Sequence, residues 1–364
     1  MGKKKIIFYM PSFEGGGVEK NVILIANFFC LKNFNISIIT TSKKIKRKFS
    51  NNVKIINPKS AFWDKKSRFF KYLICLGVLF KEFIKDKNFR VLCFQGNISC
   101  ILFCKILGID IVVRPNSSPV GWSNNFIKKK IFSFVLKLAN KIVVNSFSFK
   151  NELRKQFNLK SICIYNPLNI EEIKKYSKKK ISFNFFRNNT LNIISVGRLV
   201  EQKDHLTTLK AVNKVKKKIN LKVLIIGDGD RKSELLDYIN RNKLKNIIKI
   251  FNRIENPYPY ILKSNVMILS SKFEGLPNVL LEALALKKFI ISSNCSTGPS
   301  EILDNGKGGL LFKVGDYLDL KKKILYYKNN PKLCFIKKKH SLSRIARFNY
   351  LKNLKRYLNL FKEI

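Results

Sequence analysis

Two carboxylates eight residues apart, Glu274 and Glu282, straddle the turn Gly275-Leu276-Pro277. The apolar run Val266–Leu269 leads into the first carboxylate. The second falls one turn into a helix expected over Asn278–Leu286. Acid side chains and backbone N–H groups at the carboxyl end of a parallel strand are what open α/β sheets use to hold ligands. Upstream, Ser195-Val196-Gly197-Arg198-Leu199 leaves the apolar run Leu191–Val196, and Lys203 follows shortly after. Gly197 admits close approach, Arg198 can grip two phosphate oxygens in a fixed fork, and Lys203 adds a mobile point charge. Such a set suits a sugar carried on a diphosphate. The N–H groups of Leu276, Asn278 and Val279 would face the phosphates, where Pro277 has none to give. Glu282 would accept from paired ribose hydroxyls, and Glu274 would reach sugar hydroxyls near the reacting carbon. The chain has 23 acidic residues against 72 Lys and Arg, so two acids at one strand-to-helix junction carry information that a single lysine does not.

Other strand-end loops add weaker signals. Asn252-Arg253-Ile254 follows the strand-like run Ile247–Phe251, where Arg253 and Ile254 would border a uracil ring through main-chain contacts. Gly227-Asp228-Gly229 reads as turn material. Cys295 to Glu301 is a polar turn entering a short helix. In the first half, Glu14-Gly15-Gly16-Gly17-Val18-Glu19 follows the first strand and opens a helix. Gly16 and Gly17 let the backbone approach a sugar phosphate, and a helix N-terminus favours negative charge. The run is not GxGxxG and no acid follows the second strand, which argues against a dinucleotide. Arg114-Pro115-Asn116-Ser117-Ser118-Pro119 leaves the fifth strand, making Arg114, Asn116 and Ser117 candidates to position an acceptor. No histidine stands there. Of the chain's two, His205 is expected at a helix start or on the surface. A Ser-His-Asp triad lacks its nucleophile elbow, and without CxxC pairs a zinc site has little to recruit.

The elements that must position these residues follow βαβ grammar twice. Strand-like Lys5–Met10, Ile36–Thr41, Val53–Asn57, Val91–Gln95, Asp110–Arg114, Lys141–Asn145 and Ser161–Tyr165 alternate with helix-like runs up to residue 168. A polar, lysine-rich stretch, 169–190, reads as the linker. The pattern restarts over 191–345. Tyr350 to Phe361 is apolar at helical spacing, so 346–364 is expected as a C-terminal helix packing back on the N-terminal domain. The expected fold is therefore α/β, two facing Rossmann-like doubly wound domains with an interdomain cleft. The first would bind the acceptor and the second the nucleotide sugar.

Bulk properties set the frame. A chain of 364 residues exceeds one ordinary core, and 46% hydrophobic composition excludes global disorder. The formal charge of +49 attracts anionic partners. Lysines run along the whole chain without base-stacking or recognition-helix motifs, so nucleic acid is not expected as a partner. Eight cysteines without metal spacing read as core thiols in a reducing compartment. Lys3 to Lys5 precede a strand with no small-residue cleavage pattern, against a signal peptide. Phe69 to Ile84 is too short and too charged to span a bilayer, but together with lysine-rich Phe126–Leu138 it offers an apolar, basic surface for anionic lipid.

These motifs resemble those of retaining glycosyltransferases of family 4, which have the GT-B fold. Glu274 and Glu282 match that family's E-x7-E pair. Gly197-Arg198-Leu199 with Glu201-Gln202-Lys203 matches its donor-phosphate motif, and Glu14-Gly15-Gly16-Gly17 its glycine loop. Asn256-Pro257-Tyr258-Pro259-Tyr260, Glu274-Gly275-Leu276-Pro277-Asn278-Val279-Leu280 and Thr297-Gly298-Pro299-Ser300-Glu301-Ile302-Leu303 are similar to members that add N-acetylgalactosamine or a related sugar to lipid-linked or surface oligosaccharides. The resemblance covers almost the whole chain. It implies retaining transfer of a hexose or N-acetylhexosamine from a UDP-sugar, with no metal and no cofactor, on the cytoplasmic face of a membrane. Arg198 and Lys203 would bind and neutralise the diphosphate, Glu274 the donor sugar, and Gly16 and Gly17 the sugar-phosphate side. Two departures stand out: Asn116 where many relatives have histidine, and Asn252 where they often have glycine. A nucleotide-sugar epimerase or hydrolase on the same plan is the alternative enzyme reading, and a basic nucleic-acid binder the remote one.

Overall fold

The computed structural model describes residues 4–43, 45–117, 119 and 125–363, so Lys3 and Ser118, named above, lie outside the described residues. The chain divides into two compact units: residues up to Pro167 together with those from Leu351 on, and Leu168–Tyr350.

Unit 1 runs β1 (Lys5–Tyr9), α1 (Gly17–Leu31), β2 (Asn35–Ile39), β3 (Lys54–Ile56), α2 (Arg68–Lys85), β4 (Phe89–Cys93), α3 (Asn97–Ile106), β5 (Ile111–Val113), α4 (Phe126–Lys137), β6 (Lys141–Val144), α5 (Phe147–Phe157) and β7 (Ile162–Cys163). Unit 2 runs α6 (Ile170–Ser177), β8 (Leu191–Val196), α7 (His205–Val215), β9 (Leu221–Ile226), α8 (Lys232–Arg241), β10 (Ile248–Phe251), α9 (Tyr258–Lys263), β11 (Val266–Leu269), α10 (Asn278–Ala285), β12 (Phe289–Ser293), α11 (Pro299–Ile302), β13 (Leu310–Phe312), α12 (Tyr317–Asn329) and α13 (Pro331–Ser343). The last helix, α14 (Tyr350–Lys362), falls mostly in unit 1.

Every strand pairing is parallel, in the orders β3-β2-β1-β4-β5-β6-β7 and β10-β9-β8-β11-β12-β13. Strands covered by helices on both faces must be apolar almost throughout, which is how Val266-Met267-Ile268-Leu269 and Leu221–Ile226 read. In unit 2, Ile193, Val223, Ile225, Ile268 and Ile291 join Leu209 and Val212 of α7 and Leu320 and Ile324 of α12 in one buried cluster. Both sheets reverse strand order once, between β1 and β4 and between β8 and β11. At such a switch point the two adjacent strand-end loops diverge and leave a crevice. These are two Rossmann-like doubly wound units, the pairing that defines the GT-B fold.

Two helices escaped the sequence pattern. Helix α6 lies inside the stretch read as linker. Its Asn169 caps the Glu172 N–H, and Glu171 and Glu172 occupy its first turn. At eight residues it is too short to display a period. Helix α13 exposes Leu333, Phe335 and Ile336, so its apolar residues mark no single face. Seven of the eight cysteines are buried and all eight are free thiols.

Within unit 1, α14 buries Leu354, Tyr357, Leu360 and Phe361. Arg114 Nε donates to Tyr357 Oη (2.8 Å), Arg90 donates to the Phe361 carbonyl (2.9 Å), and Phe361 meets Phe29 edge-on. A buried guanidinium deprived of an acceptor keeps its desolvation penalty. We therefore expect Tyr357→Phe to lower stability by roughly 1–3 kcal/mol in urea titrations. An unchanged midpoint would show that Arg114 does not need this hydroxyl.

Candidate functional site

The carboxyl edge of the unit 2 sheet gathers the loops that follow β8, β9, β10, β11 and β12. Across the β8/β11 switch point, Lys203 Nζ pairs with Glu274 Oε1 at 2.5 Å, and Glu274 is only 6% exposed. The same carboxylate oxygen accepts from Ser271 Oγ (2.6 Å), while Thr297 Oγ1, from the loop after β12, donates to the Glu274 carbonyl (2.5 Å). Gln202 stitches the two loops together. Its amide donates to the Phe273 carbonyl (2.9 Å), its own carbonyl accepts from Lys272 N–H (2.8 Å), and Arg198 reaches its side chain at 3.5 Å. Ser270 donates to the Lys203 carbonyl at 3.1 Å. Arg198 is exposed at the loop crest.

Glycines make this crowding feasible. A Cβ on Gly227 would stand 1.9 Å from the Gly197 carbonyl, and one on Gly229 2.3 Å from that of Leu199. Gly227-Asp228-Gly229 is thus more than turn material, because it lets the Arg198 loop lie flat against its neighbour. Gly298, at φ +86, brings the Thr297 loop against the Gly275 carbonyl. Asp228 Oδ2 accepts from the Arg253 N–H (2.8 Å), and Lys232 binds Asn252. Of the main-chain groups expected to border a uracil ring, the Arg253 N–H is donated to a carboxylate, and Ile254 is half-buried alongside.

Asn278 and Val279 are the first two residues of α10, with Leu276 buried just before them. Glu282 is 5% exposed and accepts from Tyr258 Oη at 3.4 Å. It is a buried polar group of the site, not a solvated helix side chain. His205 does begin α7, yet it is 4% exposed rather than at the surface. Burial and the neighbouring Lys203 ammonium push its pKa down to about 4. Burial, reinforced by the Glu274 carboxylate, pushes the Cys295 thiol up to about 12.

In unit 1, Gly16 is the N-cap of α1 and Gly17 its first residue, and the Gly15 N–H donates to Glu19. Glu14 is held bidentately by Arg68, the first residue of α2, at 3.1 and 2.5 Å. Gln95, after β4, accepts from both N–H and Oγ of Ser12 across the switch point. Arg114 departs from expectation. It is 1% exposed, its guanidinium bonded to Tyr357, Asn116 and Asn166, so it braces the interior instead of meeting a ligand. Asn116 and Ser117 stay half-buried at the strand exit. Gln202, Tyr258 and Thr297 were legible only as members of family-like motifs, with no individual role, and nothing in the sequence pointed to Arg68 or Gln95. The partners of all five, apart from Arg198 beside Gln202, lie 23 to 83 residues away, so the contacts themselves leave no local signal.

Chemically, unit 2 offers a cation pair, a buried carboxylate held by one of those cations, and a helix start. That equipment binds an anion and the hydroxyls beside it. Among the described residues no group of three or more His, Cys, Asp or Glu is placed to hold a metal ion.

Residues 177–349 match the model of glycosyl transferases group 1. The chain is 32% identical over 179 residues to an uncharacterized glycosyltransferase of Methanocaldococcus jannaschii, covering 47% of this chain and 44% of that protein. The matched stretch thus spans less than half of that relative's own length. Identity is 26% over 330 residues, 88% of each chain, to the Campylobacter jejuni GalNAc-alpha-(1->4)-GalNAc-alpha-(1->3)-diNAcBac-PP-undecaprenol alpha-1,4-N-acetyl-D-galactosaminyltransferase. The fold is similar to HepE of Anabaena in complex with UDP and glucose, with a TM-score of 0.77, 15% identity, and coverage of 99% of this chain and 100% of that one. This chain is therefore a GT-B protein related to the glycosyl transferases group 1 family.

A histidine buried in its neutral form binds fewer protons folded than unfolded. Its contribution to stability is complete above the unfolded value near 6.5 and is lost as pH falls toward 4. Against the non-titrating variant His205→Gln, we expect the wild-type stability margin to shrink by roughly 3 kcal/mol between pH 7 and pH 4 in denaturant titrations. A margin independent of pH would mean that the ring protonates as freely folded as unfolded.

Proposed function

We propose that this chain is a retaining glycosyltransferase that moves a hexose or N-acetylhexosamine from a UDP-sugar to a lipid-linked or surface-glycan acceptor. One observation carries the reading: the Lys203–Glu274 pair joins the loops flanking the unit 2 switch point, with Arg198 tied to the same junction through Gln202. In this reading Arg198 and Lys203 hold the diphosphate, and the start of α10 meets its remaining oxygens. Glu274 orients the donor sugar and Glu282 the ribose. The bond from the anomeric carbon to the diphosphate breaks while the acceptor oxygen bonds to the same face. The acceptor proton passes to the departing phosphate oxygen, so no side-chain base is required. Charge building on the phosphate is met by Arg198 and Lys203, which removes the need for a divalent cation. The edge of unit 1 around Gly16, Gly17, Asn116 and Ser117 serves the sugar-phosphate and acceptor side. The Campylobacter relative supports a polyprenyl-diphosphate oligosaccharide as acceptor class, and the HepE complex supports UDP as carrier.

A lipid-linked acceptor calls for a membrane-docking face. On α2, Phe69 (64% exposed), Phe70, Leu73, Phe80 and Ile84 face solvent, as do Ile127, Ile131 and Phe134 on α4. Exposed Lys81, Lys85, Lys128, Lys130 and Lys137 share these two helices. Apolar residues flanked by lysines fit an anionic bilayer, which supports reading the protein as peripheral on the cytoplasmic leaflet. Among the described residues no helix is long and apolar enough to cross a membrane.

With a panel of UDP-sugars and an undecaprenyl-diphosphate-sugar acceptor, we expect mass-shifted product that forms equally well in EDTA. Removing one member of a buried ion pair leaves the other uncompensated, so Lys203→Ala and Glu274→Gln should lose stability as well as at least about a hundredfold in turnover. Wild-type turnover in either variant rejects the assigned roles. Isomerisation or cleavage of the donor without acceptor points to an epimerase or hydrolase instead. In sedimentation assays the protein should pellet with anionic vesicles at low salt and leave them at high salt. No pelleting at low salt sinks the docking face.

A further inference from the structure

We propose that His205 is a positioning residue of the donor site: its Nε2, with the ring oriented by Ser195 at Nδ1, fixes the Arg198–Leu199 peptide and with it the aim of the Arg198 guanidinium. The inference rests on reading Arg198 as a ligand of the donor diphosphate.

The ring lies beneath the β8 loop. Its Nε2 is 3.2 Å from the Arg198 carbonyl oxygen and its Nδ1 3.3 Å from Ser195 Oγ, a hydroxyl that is 1% exposed. A carbonyl can only accept, so Nε2 carries the proton, and bare Nδ1 accepts from the serine. The partners therefore select one neutral tautomer. In the same peptide plane the Leu199 N–H donates to the Asp228 carbonyl (2.8 Å), so the plane is held at both its C=O and its N–H. On the other side of Arg198, the Gly197 N–H donates to the Ile226 carbonyl (3.0 Å) and the Gly197 carbonyl abuts Gly227. The backbone on both sides of Arg198 is thus pinned, and an exposed, flexible side chain starts from a fixed root. Of these restraints only the one at the Arg198 carbonyl comes from a side chain.

The position of His205 is itself secured. Asp204 caps α7 by accepting from Thr207 N–H, and Thr208 Oγ1 donates to Ser270 Oγ on the loop after β11. The charged group that acts on the ring is Lys203 from the preceding loop, while the Arg198 guanidinium turns to Gln202 and the Asp204 carboxylate to Thr207. A third positive charge beside the two cations would oppose their attraction for phosphate only weakly while solvated, but strongly when buried. A neutral ring donates the needed hydrogen bond without repelling Lys203.

Calorimetric titration of UDP, the probe, tests this on the full chain. His205→Phe fills the space but offers no donor, and His205→Gln places an amide N–H where Nε2 lies. We expect His205→Phe to weaken UDP about tenfold or more and His205→Gln to stay within about threefold of wild type. In an Arg198→Ala background, His205→Phe should add nothing further, and in kinetics the donor KM should rise more than kcat falls. Unchanged UDP affinity in His205→Phe, or an equal loss with and without Arg198, overturns the proposal. If wild type itself ignores UDP, the donor reading falls first and takes this inference with it. Nitrogen NMR of the unmutated protein covers the case of a variant that does not fold, since the chain has only His205 and His340. His205 should show a protonated Nε2 and a bare Nδ1, with shifts that respond to UDP. A ring protonated on Nδ1 alone, or one blind to UDP, overturns it.

Discussion

A carboxylate buried at the end of a strand needs a cation within reach, and in unit 2 that cation comes from across the switch point. Glu274 follows β11, and Lys203 closes the short turn after β8. Breaking such a pair typically costs 3–5 kcal/mol, because the survivor is left charged and uncompensated. The contact therefore ties together the two loops that strand order alone would let diverge. Much of the surrounding geometry serves it. Ser271 and Thr297 hold the Glu274 residue from two sides, Gln202 crosses between the loops, and Gly227 and Gly298 let the neighbouring β9 and β12 loops close against the β8 and β11 loops. What remains exposed above this junction is Arg198, a guanidinium on a braced backbone.

The two units repeat one topology but equip it differently. At the β1/β4 switch point of unit 1 the loops carry glycines, a Ser12–Gln95 hydrogen bond and a Glu14–Arg68 pair in which both partners remain substantially exposed. Such exposed pairs contribute little energy and rearrange easily. Unit 2 has its Lys203–Glu274 pair largely buried and interlocked, with Arg198 exposed above it. Under the proposed function, the second kind of edge would hold a diphosphate of fixed geometry and the first an acceptor glycan, larger and more variable. Arg68 adds a link within unit 1, since the helix bearing exposed Phe69, Phe70 and Leu73 begins at the residue that grips the glycine loop.

The alternation of apolar strands with helices was legible because strands covered on both faces have no choice but to be apolar. The Glu274 and Arg198 loops were legible because scarce acids and glycines fall at strand ends. Two kinds of feature were not. Helix α6 is too short to stand out from the polar stretch around it, and the apolar residues of α13 scatter around its axis, with Cys334 buried and Leu333, Phe335 and Ile336 exposed. Burial of single polar residues depends on partners brought from elsewhere: Arg114 looks like a loop ligand until Tyr357 of α14, 243 positions away, takes its Nε, and His205 looks like a surface residue until the β8 loop folds over it. The partner of the Arg253 N–H, Asp228, likewise stands 25 positions upstream.

The most direct test of the central claim is a crystal structure of the protein soaked with UDP. The diphosphate should lie at the β8/β11 crevice, against Arg198 and Lys203, with the ribose hydroxyls at Glu282. Ordered UDP bound elsewhere, with both cations untouched, would contradict it.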